Sequence, residues 1–271
     1  MTPRLAIVIV NFNGGAHLEA CLHSLADSPP ATRSEVIVVD NASADGSAAV
    51  VSRFPTVRLI QLRENAGFSA GNNAGIRASE GELVLLLNND TIVPAGAIDR
   101  LVAALDARPD AAIAGPRLID GSGTAELSFG PMISPVAELR QKVITSLHAR
   151  GFGPVRSWVE RATREERSVD WVSGACLLVR RAAANEVGLL DERFFLYTED
   201  VDFCAGVRAK GWTVLFTPAA EIVHLRGRSR STAPRQASAA YRRSQLAFYE
   251  KHHPHLVPLL RTYLRIKGQL P

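Results

Sequence analysis

The sequence predicts an α/β fold in which a mostly parallel sheet carries helices on both faces. Short apolar runs alternate with segments of helical periodicity between residues 5 and 115, which is the pattern of repeated β-α-β units. Residues 83–87 are five consecutive apolar residues, followed by Asn88, Asn89 and Asp90. Such a run is typical of a strand buried on both faces of a parallel sheet.

The elements of the first half follow from periodicity and turn residues. Residues 5–10 are rich in β-branched side chains and predict the first strand, which ends at Asn11. Residues 17–25 have apolar side chains at helical spacing, and two prolines then end the helix. By the same criteria we predict strands at residues 36–39, 57–61, 83–87 and 111–115. We predict further helices at residues 45–54, 69–78 and 95–107.

The chain changes character after residue 115, although no internal repeat or long linker divides it. Residues 119–130 are rich in Gly and Ser, and the charged residues 151–167 predict a loop. Helices are predicted at residues 135–150, 180–187, 199–210, 236–252 and 258–267. Strands are predicted at residues 169–179 (a pair or one bulged strand), 213–217 and 222–225. We divide the chain into a domain at 1–235, with a nucleotide-binding half (1–115) and a second half (116–235), and a helical extension at 236–271.

Composition narrows the class of protein. The chain has 271 residues and a net charge of +4, and residues 225–243 carry six arginines and no acid. This basic run either binds an anionic partner, which would be a phosphate group or an anionic membrane surface, or is a solvated segment without a partner. We expect no nucleic-acid partner. Three widely spaced cysteines argue against a disulfide framework. Without a membrane-spanning run or a convincing signal peptide, we expect a cytoplasmic protein.

Polar residues follow four successive predicted strands. They are Asn11 to Asn13, Asp40 with Asn41, residues 65–68, and Asn88 to Asp90. Each could be an ordinary turn, but the carboxyl ends of parallel strands lie along one sheet edge, where α/β proteins bind ligands. The sequence therefore predicts a polar crevice at this edge.

Phosphate-binding glycine motifs are absent, since the sequence contains neither GxxxxGK[ST] nor a GxGxxG at the first helix. A phosphorylated ligand would then be neutralised by a metal or by arginines. Asp90 is the candidate ligand for Mg²⁺ or Mn²⁺, because both prefer oxygen, and Asn88 could add an amide oxygen.

A second cluster is Thr198, Glu199, Asp200 and Asp202. Thr198 could be a helix N-cap, and acids suit the first helical turn. Three acids beside aromatic residues also suit a general base, because apolar walls and like charges raise a carboxyl pKa. His224, just before the arginine run, is either structural or a metal ligand. Trp171 is either core or a platform for a sugar or base.

In order and spacing, seven motifs resemble the family 2 inverting glycosyltransferases of the GT-A fold, and most of all bacterial dTDP-rhamnosyltransferases. The motifs are IVIVNFN, VVDNAS, NAGFSAGNNAGI, LLLNND, WVSGACLLVRR, LDERFFLYTEDVDFC and HLRGRS, and the resemblance spans residue 5 to about residue 229. The resemblance implies a Rossmann-like half that binds the donor and a second half on the acceptor side. It also implies inverting transfer of a sugar during cell-envelope polysaccharide assembly, with rhamnose from dTDP-rhamnose as the preferred candidate.

The resemblance also implies roles for individual residues. Asp200, with Glu199, matches the general base, while Asp90 and His224 match ligands of Mg²⁺ or Mn²⁺. Asn88 stands where the DXD motif has its first aspartate, so this position carries no charge. The donor-binding set is Asn11, Asn13, Asp40, Asn65, Gly67, Gly71, Asn72, Asn88, Asn89 and Arg226. The acceptor-side set is Trp171, Gly174 and Asp202.

Several alternatives follow from the same residues. Another pyrimidine-nucleotide-sugar transferase, a sugar-phosphate nucleotidylyltransferase and a non-enzymatic binding module are the other candidate functions. The expected partners are a nucleoside-diphosphate sugar and a glycan or polyprenyl-linked acceptor. The C-terminal helices mix aromatic or Leu residues with Arg and Lys, so they either lie on anionic lipid at the inner face of the plasma membrane or pack on the domain or in a homodimer.

Overall fold

The computed structural model describes residues 2–225 and 234–270. Its strands are β1 (Leu5–Asn11), β2 (Ser34–Asp40), β3 (Val57–Gln61), β4 (Leu83–Asn88), β5 (Thr91–Ile92), β6 (Ala111–Ile119), β7 (Ala125–Glu126), β8 (Phe129–Gly130), β9 (Arg167–Val169), β10 (Trp171–Val172), β11 (Cys176–Arg180) and β12 (Thr213–His224). Its helices are α1 (Gly15–Asp27), α2 (Ser47–Val51), α3 (Gly67–Arg77), α4 (Ala97–Asp106), α5 (Pro135–Ala149), α6 (Gly153–Ala162), α7 (Arg181–Glu186), α8 (Glu199–Ala209), α9 (Pro234–His252), a 3₁₀ turn (Pro254–Leu256) and α10 (Val257–Ile266).

The first four strands form the parallel sheet that the alternating pattern predicts. β1 pairs in parallel with β2 and β4, and β2 pairs in parallel with β3. All seven residues of β1 are buried, because helices cover both faces of this central strand. The mostly parallel α/β class is thus confirmed.

An antiparallel strand joins the two halves of the sheet. The order is β3-β2-β1-β4-β11-β6-β12-β5, and β11 runs antiparallel to both β4 and β6. The predicted fifth strand, which is β6, is therefore not next to β4. Beyond it, β6 and β12 pair in parallel.

Two predicted elements of the second half are wrong. Residues 153–162 form α6 rather than a loop, with Pro154 in the first turn, where its missing N–H costs nothing, and with Val159 and Ala162 buried. The two predicted strands near residue 220 are one strand, β12, whose register shifts between Thr217 and Glu221. Pro218 lies in this shift, where a bulge accommodates its lack of a donor.

Three apolar clusters hold the layers together. One lies between the sheet and α1 with α4, and a second lies on the other face under α3, α7 and α8. The third joins Phe194 and Val201 to Leu246, Phe248 and Tyr249 of α9 and to Leu260 and Leu264 of α10. Much of the apolar content of the C-terminal helices therefore packs on the domain.

Two further features concern the cysteines and the helices. Cys21, Cys176 and Cys204 are buried and free. Over the described ranges, no helix combines the length and apolarity needed to cross a bilayer.

Candidate active site

The polar ends of β1, β2 and β4 meet in one hydrogen-bonded group, as the crevice prediction requires. Because Asn11 and Asp40 are opposite one another in the parallel register, Asn11 Nδ2 donates to Asp40 Oδ1 at 3.2 Å. Asn89 Nδ2 donates to Asn11 Oδ1 at 2.6 Å. Gly14 leaves room for this group, since a Cβ there would overlap the Asn89 amide and displace it. We did not assign Gly14 from sequence, although the Gly14-Gly15 pair marks a turn.

The third polar segment joins the same edge through Asn41. Its side chain donates to the carbonyl of Gly67 at 2.9 Å and accepts the N–H of Ala66 at 3.1 Å. Asn65 Oδ1 accepts the Gly67 N–H at 3.1 Å. Gly67 has φ +89°, and a Cβ there would lie 2.6 Å from the carbonyl oxygen of Phe195, so only glycine fits. The start of α3 is thereby held against the loop that precedes α8.

Three other residues of the donor set have local structural contacts. Asn13 Oδ1 accepts the N–H of Ala44 at 2.8 Å. A Cβ on Gly71 would lie 2.9 Å from Val10, so this glycine allows α3 to approach β1. Asn72 is buried and donates to the carbonyl of Phe68 at 2.9 Å. Arg226 lies outside the described residues.

Asp90 and His224 lie side by side although 134 positions separate them in sequence. Strand β5 pairs with the end of β12, and His224 Nε2 is 3.4 Å from Asp90 Oδ1. His224 Nδ1 is 3.3 Å from Oε2 of Glu126. Burial lowers the pKa of His224, but hydrogen bonds to the two carboxylates outweigh it and raise that pKa to about 9.

Glu126 is the functional candidate that sequence reasoning missed. It lies in the Gly- and Ser-rich stretch, on the two-residue strand β7, and is 7% exposed. Periodicity gives no signal over two residues. Its burial, which only the structure shows, is what distinguishes Glu126 from the other polar residues of this stretch.

The residues around Asp90 suit a divalent cation that shares its coordination with a substrate. They offer a carboxylate oxygen and an imidazole nitrogen, with a second carboxylate behind the imidazole. Throughout the described part of the chain, no cluster of three His, Cys, Asp or Glu side chains forms a complete cation cage. This set therefore fits Mg²⁺ or Mn²⁺ only if phosphate oxygens or water complete the shell.

Asp200 is fixed in place from two sides at the start of α8. Its Oδ2 accepts the Gly174 N–H at 2.8 Å, and its Oδ1 accepts the Val201 N–H at 2.8 Å. Ala175, next to Gly174, accepts the N–H of Asn88 at 2.9 Å, so Asp200 adjoins the end of β4. Burial raises the pKa of Asp200, and the N–H groups of Gly174 and Val201 offset only part of that rise.

The backbone before Asp200 is strained. Tyr197 and Thr198 both have positive φ, 72° and 65°, a conformation that costs about 1–3 kcal/mol for each non-glycine residue. Thr198 is the N-cap residue of α8, as predicted, but in its left-handed conformation the side chain makes no capping hydrogen bond. The buried oxygens Thr198 Oγ1 and Glu199 Oε2 have no hydrogen-bond partner among the described residues.

The acceptor-side set divides between two locations. Gly174 contacts Asp200, and Trp171 is half-buried, with its Nε1 donating to the Pro131 carbonyl at 2.8 Å. Asp202 is two positions from Asp200, so it lies on another face of α8. There its carboxylate contacts Lys251 at 2.8 Å and His252 at 2.6 Å on α9. This contact gives Asp202 a structural explanation that sequence reasoning did not anticipate.

Comparisons with known proteins identify the family of this chain. The glycosyltransferase-like family 2 model matches residues 3–247. The N-acetylglucosaminyl-diphospho-decaprenol L-rhamnosyltransferase of Mycobacterium tuberculosis is 34% identical, and the match covers 93% of this chain and 86% of that protein. The low-salt glycan biosynthesis hexosyltransferase Agl10 of Haloferax volcanii is 26% identical, with 83% of this chain and 68% of that protein covered.

Solved structures share the fold at low identity. The mannosyltransferase PcManGT of Pyrobaculum calidifontis, in complex with GDP-Man and Mn²⁺, has a TM-score of 0.63 at 18% identity, covering 96% of this chain and 68% of that one. GalNAc-T7 with UDP, GalNAc and Mn²⁺ has a TM-score of 0.60 at 16% identity, covering 83% and 44%. The fold is therefore GT-A, and the family match decides for a transferase over the nucleotidylyltransferase and binding-module alternatives. This chain belongs to the family 2 glycosyltransferases.

Proposed function

We propose that the protein transfers a sugar to a polyprenyl-linked glycan acceptor during cell-envelope polysaccharide assembly, with inversion at the anomeric carbon. The preferred candidate for the sugar is rhamnose, and for the donor dTDP-rhamnose. The observation that carries this proposal is the shared sheet edge, where Asp200 adjoins the strand that ends at Asn88. The mycobacterial relative, whose name specifies a rhamnosyl group and a lipid-linked N-acetylglucosamine, supports the choice of sugar and acceptor. We place the enzyme in the cytoplasm, at the inner face of the plasma membrane.

The donor would occupy the crevice at the ends of the parallel strands. Asp40 and Asn11 present a buried carboxylate and amide, which suit the N–H and carbonyl groups of a pyrimidine. Asn65, Gly67 and Asn89 line the same edge, where the ribose and diphosphate would lie. Gly71 and Asn72 would act behind these residues by holding α3 in place.

Asp90 and His224 would hold Mg²⁺ or Mn²⁺ together with the donor diphosphate. Bound there, the cation supplies electrostatic stabilisation of the leaving diphosphate. Glu126 would accept the Nδ1 proton of His224, which orients the ring so that Nε2 faces the cation. Asn88, as an amide, adds no charge to this site.

Asp200 would act as the general base. An acceptor hydroxyl loses its proton to the Asp200 carboxylate as its oxygen forms a bond to the anomeric carbon. The bond from that carbon to the diphosphate breaks, and the nucleoside diphosphate leaves with the electron pair. A single displacement inverts the anomeric configuration, and Gly174 fixes the carboxylate through its N–H.

Replacement of the proposed base tests this mechanism directly. Asp200→Asn should lower kcat by about 10²–10⁴-fold, because general base catalysis typically contributes that much. Calorimetric binding of dTDP should stay close to that of the wild type. Near-normal transfer to a GlcNAc diphosphate with a short, water-soluble alkyl chain would exclude Asp200 as the base. Glu250→Gln, on the exposed side of α9, is the matched control.

Cation binding is tested separately from turnover. Asp90→Ala should abolish the Mn²⁺-dependent part of dTDP binding in calorimetry, and Glu126→Gln should weaken it on the order of 10- to 100-fold. The exposed acid Asp27 provides the control variant Asp27→Ala. If Asp90→Ala binds Mn²⁺ and dTDP as the wild type does, the metal assignment fails. A binding and hydrolysis screen of dTDP-, UDP- and GDP-sugars would identify the donor.

A further inference from the structure

Helix α5 exposes its apolar side chains. Within the described chain, none of its residues is fully buried, although it is 15 residues long. Val136, Leu139 and Val143 have 77%, 65% and 49% of their surface exposed. At spacings of three and four residues they lie on one face of the helix. We call this face, with Phe152 in the following turn, the α5 surface.

The charge around the α5 surface is of one sign. Glu138 is the only acid between residues 135 and 158, a segment that also holds Arg140, Lys142, Arg150 and Arg156. The Glu138 carboxylate accepts hydrogen bonds from Tyr241, Gln245 and Tyr249, so it faces α9. Val136, Leu139 and Val143 point away from α9, and the exposed cations Arg140 and Lys142 flank these apolar residues on either side.

We propose that the α5 surface docks on an anionic lipid bilayer. Exposed Val, Leu and Phe side chains flanked by Arg and Lys are what a helix lying in the headgroup region presents. Pairing with a second copy of this chain is disfavoured, because a two-fold interface would oppose two basic faces with no acid between them. Phe152 and Trp158, exposed by 51% and 37%, extend the apolar residues beyond the helix.

The outer face of α10 is a separate exposed surface, which carries Leu259, Tyr263 and Ile266 beside arginines. It deepens the proposed function, since a polyprenyl-linked acceptor would be held in the bilayer that α5 contacts. The argument from α5 also stands without that function, because exposure and charge carry it.

Vesicle co-sedimentation of the full chain tests the α5 surface. The wild type should bind vesicles of phosphatidylglycerol and phosphatidylcholine and should bind pure phosphatidylcholine weakly. Leu139→Glu/Val143→Glu should lower the partition coefficient at least tenfold. Arg140→Gln and Lys142→Gln should each lower it about fivefold. All four side chains are exposed, so circular dichroism should show an unchanged fold.

A matched control adds the same two charges to the other helix. Leu259→Glu/Ile266→Glu on α10 should keep clearly more of the wild-type binding than the α5 double variant does. The proposal is overturned if the wild type ignores anionic vesicles, if the α5 double variant binds normally, or if only the α10 variant loses binding. Transfer to the short-chain GlcNAc diphosphate reports on the function separately: its absence in the wild type counts against the transfer reaction and not against the surface.

Discussion

At the residue scale, Glu199 and Asp200 are neighbours in very different environments. Burial raises the pKa of both, and the negative charge of Asp200 raises the pKa of Glu199 further. Two backbone N–H groups stabilise the Asp200 carboxylate. Glu199 Oε2 has no such partner in the described structure. The pair is therefore expected to hold its proton on Glu199 and its charge on Asp200.

Glu199→Gln should stabilise the protein increasingly as pH rises. A carboxyl whose pKa is raised by folding stabilises the folded protein at pH values below its pKa in the unfolded chain, about 4.3. That stabilisation is lost as the pH rises through its pKa in the folded protein. Glutamine does not titrate, so the variant should match the wild type near pH 4 and exceed it by roughly 1–3 kcal/mol at pH 8. Denaturant unfolding at both pH values measures this difference.

The exposed Glu64→Gln should show no pH-dependent difference larger than about 0.5 kcal/mol. A Glu199→Gln variant that is less stable than the wild type at pH 8 would show that the Glu199 carboxylate is ionised and stabilised there. Transfer activity should persist in Glu199→Gln, because glutamine resembles the protonated acid.

A site residue could be predicted from sequence when it follows a strand with a clear apolar pattern. Asn11, Asp40 and Asn89 follow clear strands, so their meeting at one edge could be inferred from parallel topology alone. Glu126 could not be inferred, because a two-residue strand has no period. The orientation of Asp202 toward α9 depends on where a helix about fifty positions away packs, which local sequence does not specify.

At the scale of elements, α9 clamps the helix that presents the base. Asp202 of α8 is buried and bonds both Lys251 and His252, and Val201 packs with Phe248 and Tyr249. Helix α8 thus has the reacting edge on one side and the C-terminal helices on another. Periodicity predicted both helices, but only the packed structure shows that one holds the other.

Asp202→Asn should lower the free energy of unfolding by roughly 1–3 kcal/mol. Removal of one charge from a buried pair is costly, although Lys251 is about a third exposed and solvent screens part of the loss. Thermal unfolding and urea denaturation both report this change. Glu250→Gln breaks a pair that is 56% and 46% exposed and should cost under about 0.5 kcal/mol. Equal effects of the two substitutions would rule out the clamp.

Elements with strong apolar periodicity were predicted more accurately than elements that contain proline, glycine or many charged residues. Pro154 and the charges around it indicated a loop, yet proline is tolerated in the first turn and two buried residues anchor α6. The two strands predicted at residues 213–217 and 222–225 are one strand, β12, because β6 pairs with both parts on either side of the register shift.

At the scale of the whole molecule, the two halves share one sheet. β11 pairs with β4 from the first half and with β6, which begins at residue 111 and continues into the second. The predicted division at residue 115 therefore falls within one strand of a continuous sheet. A fragment that ends there would leave the apolar edge of β4 open.

Both halves should therefore unfold together. All three tryptophans, Trp158, Trp171 and Trp212, lie in the second half, whereas far-UV circular dichroism reports on the whole chain. Urea transitions followed by fluorescence and by circular dichroism should have coincident midpoints. Separate midpoints would indicate that the halves are independent folding units. A fragment of residues 1–115 should lack a cooperative transition.

The reversed direction of β11 also determines how this family can be aligned. A strand that runs against its neighbours brings its beginning, not its end, to the shared edge, so Gly174 precedes its strand whereas Asn11, Asp40 and Asn88 end or follow theirs. A search that looks only downstream of strands would recover the donor-side positions and overlook those beside Asp200. In distant relatives, a glycine just upstream of the strand equivalent to β11 is the position to compare.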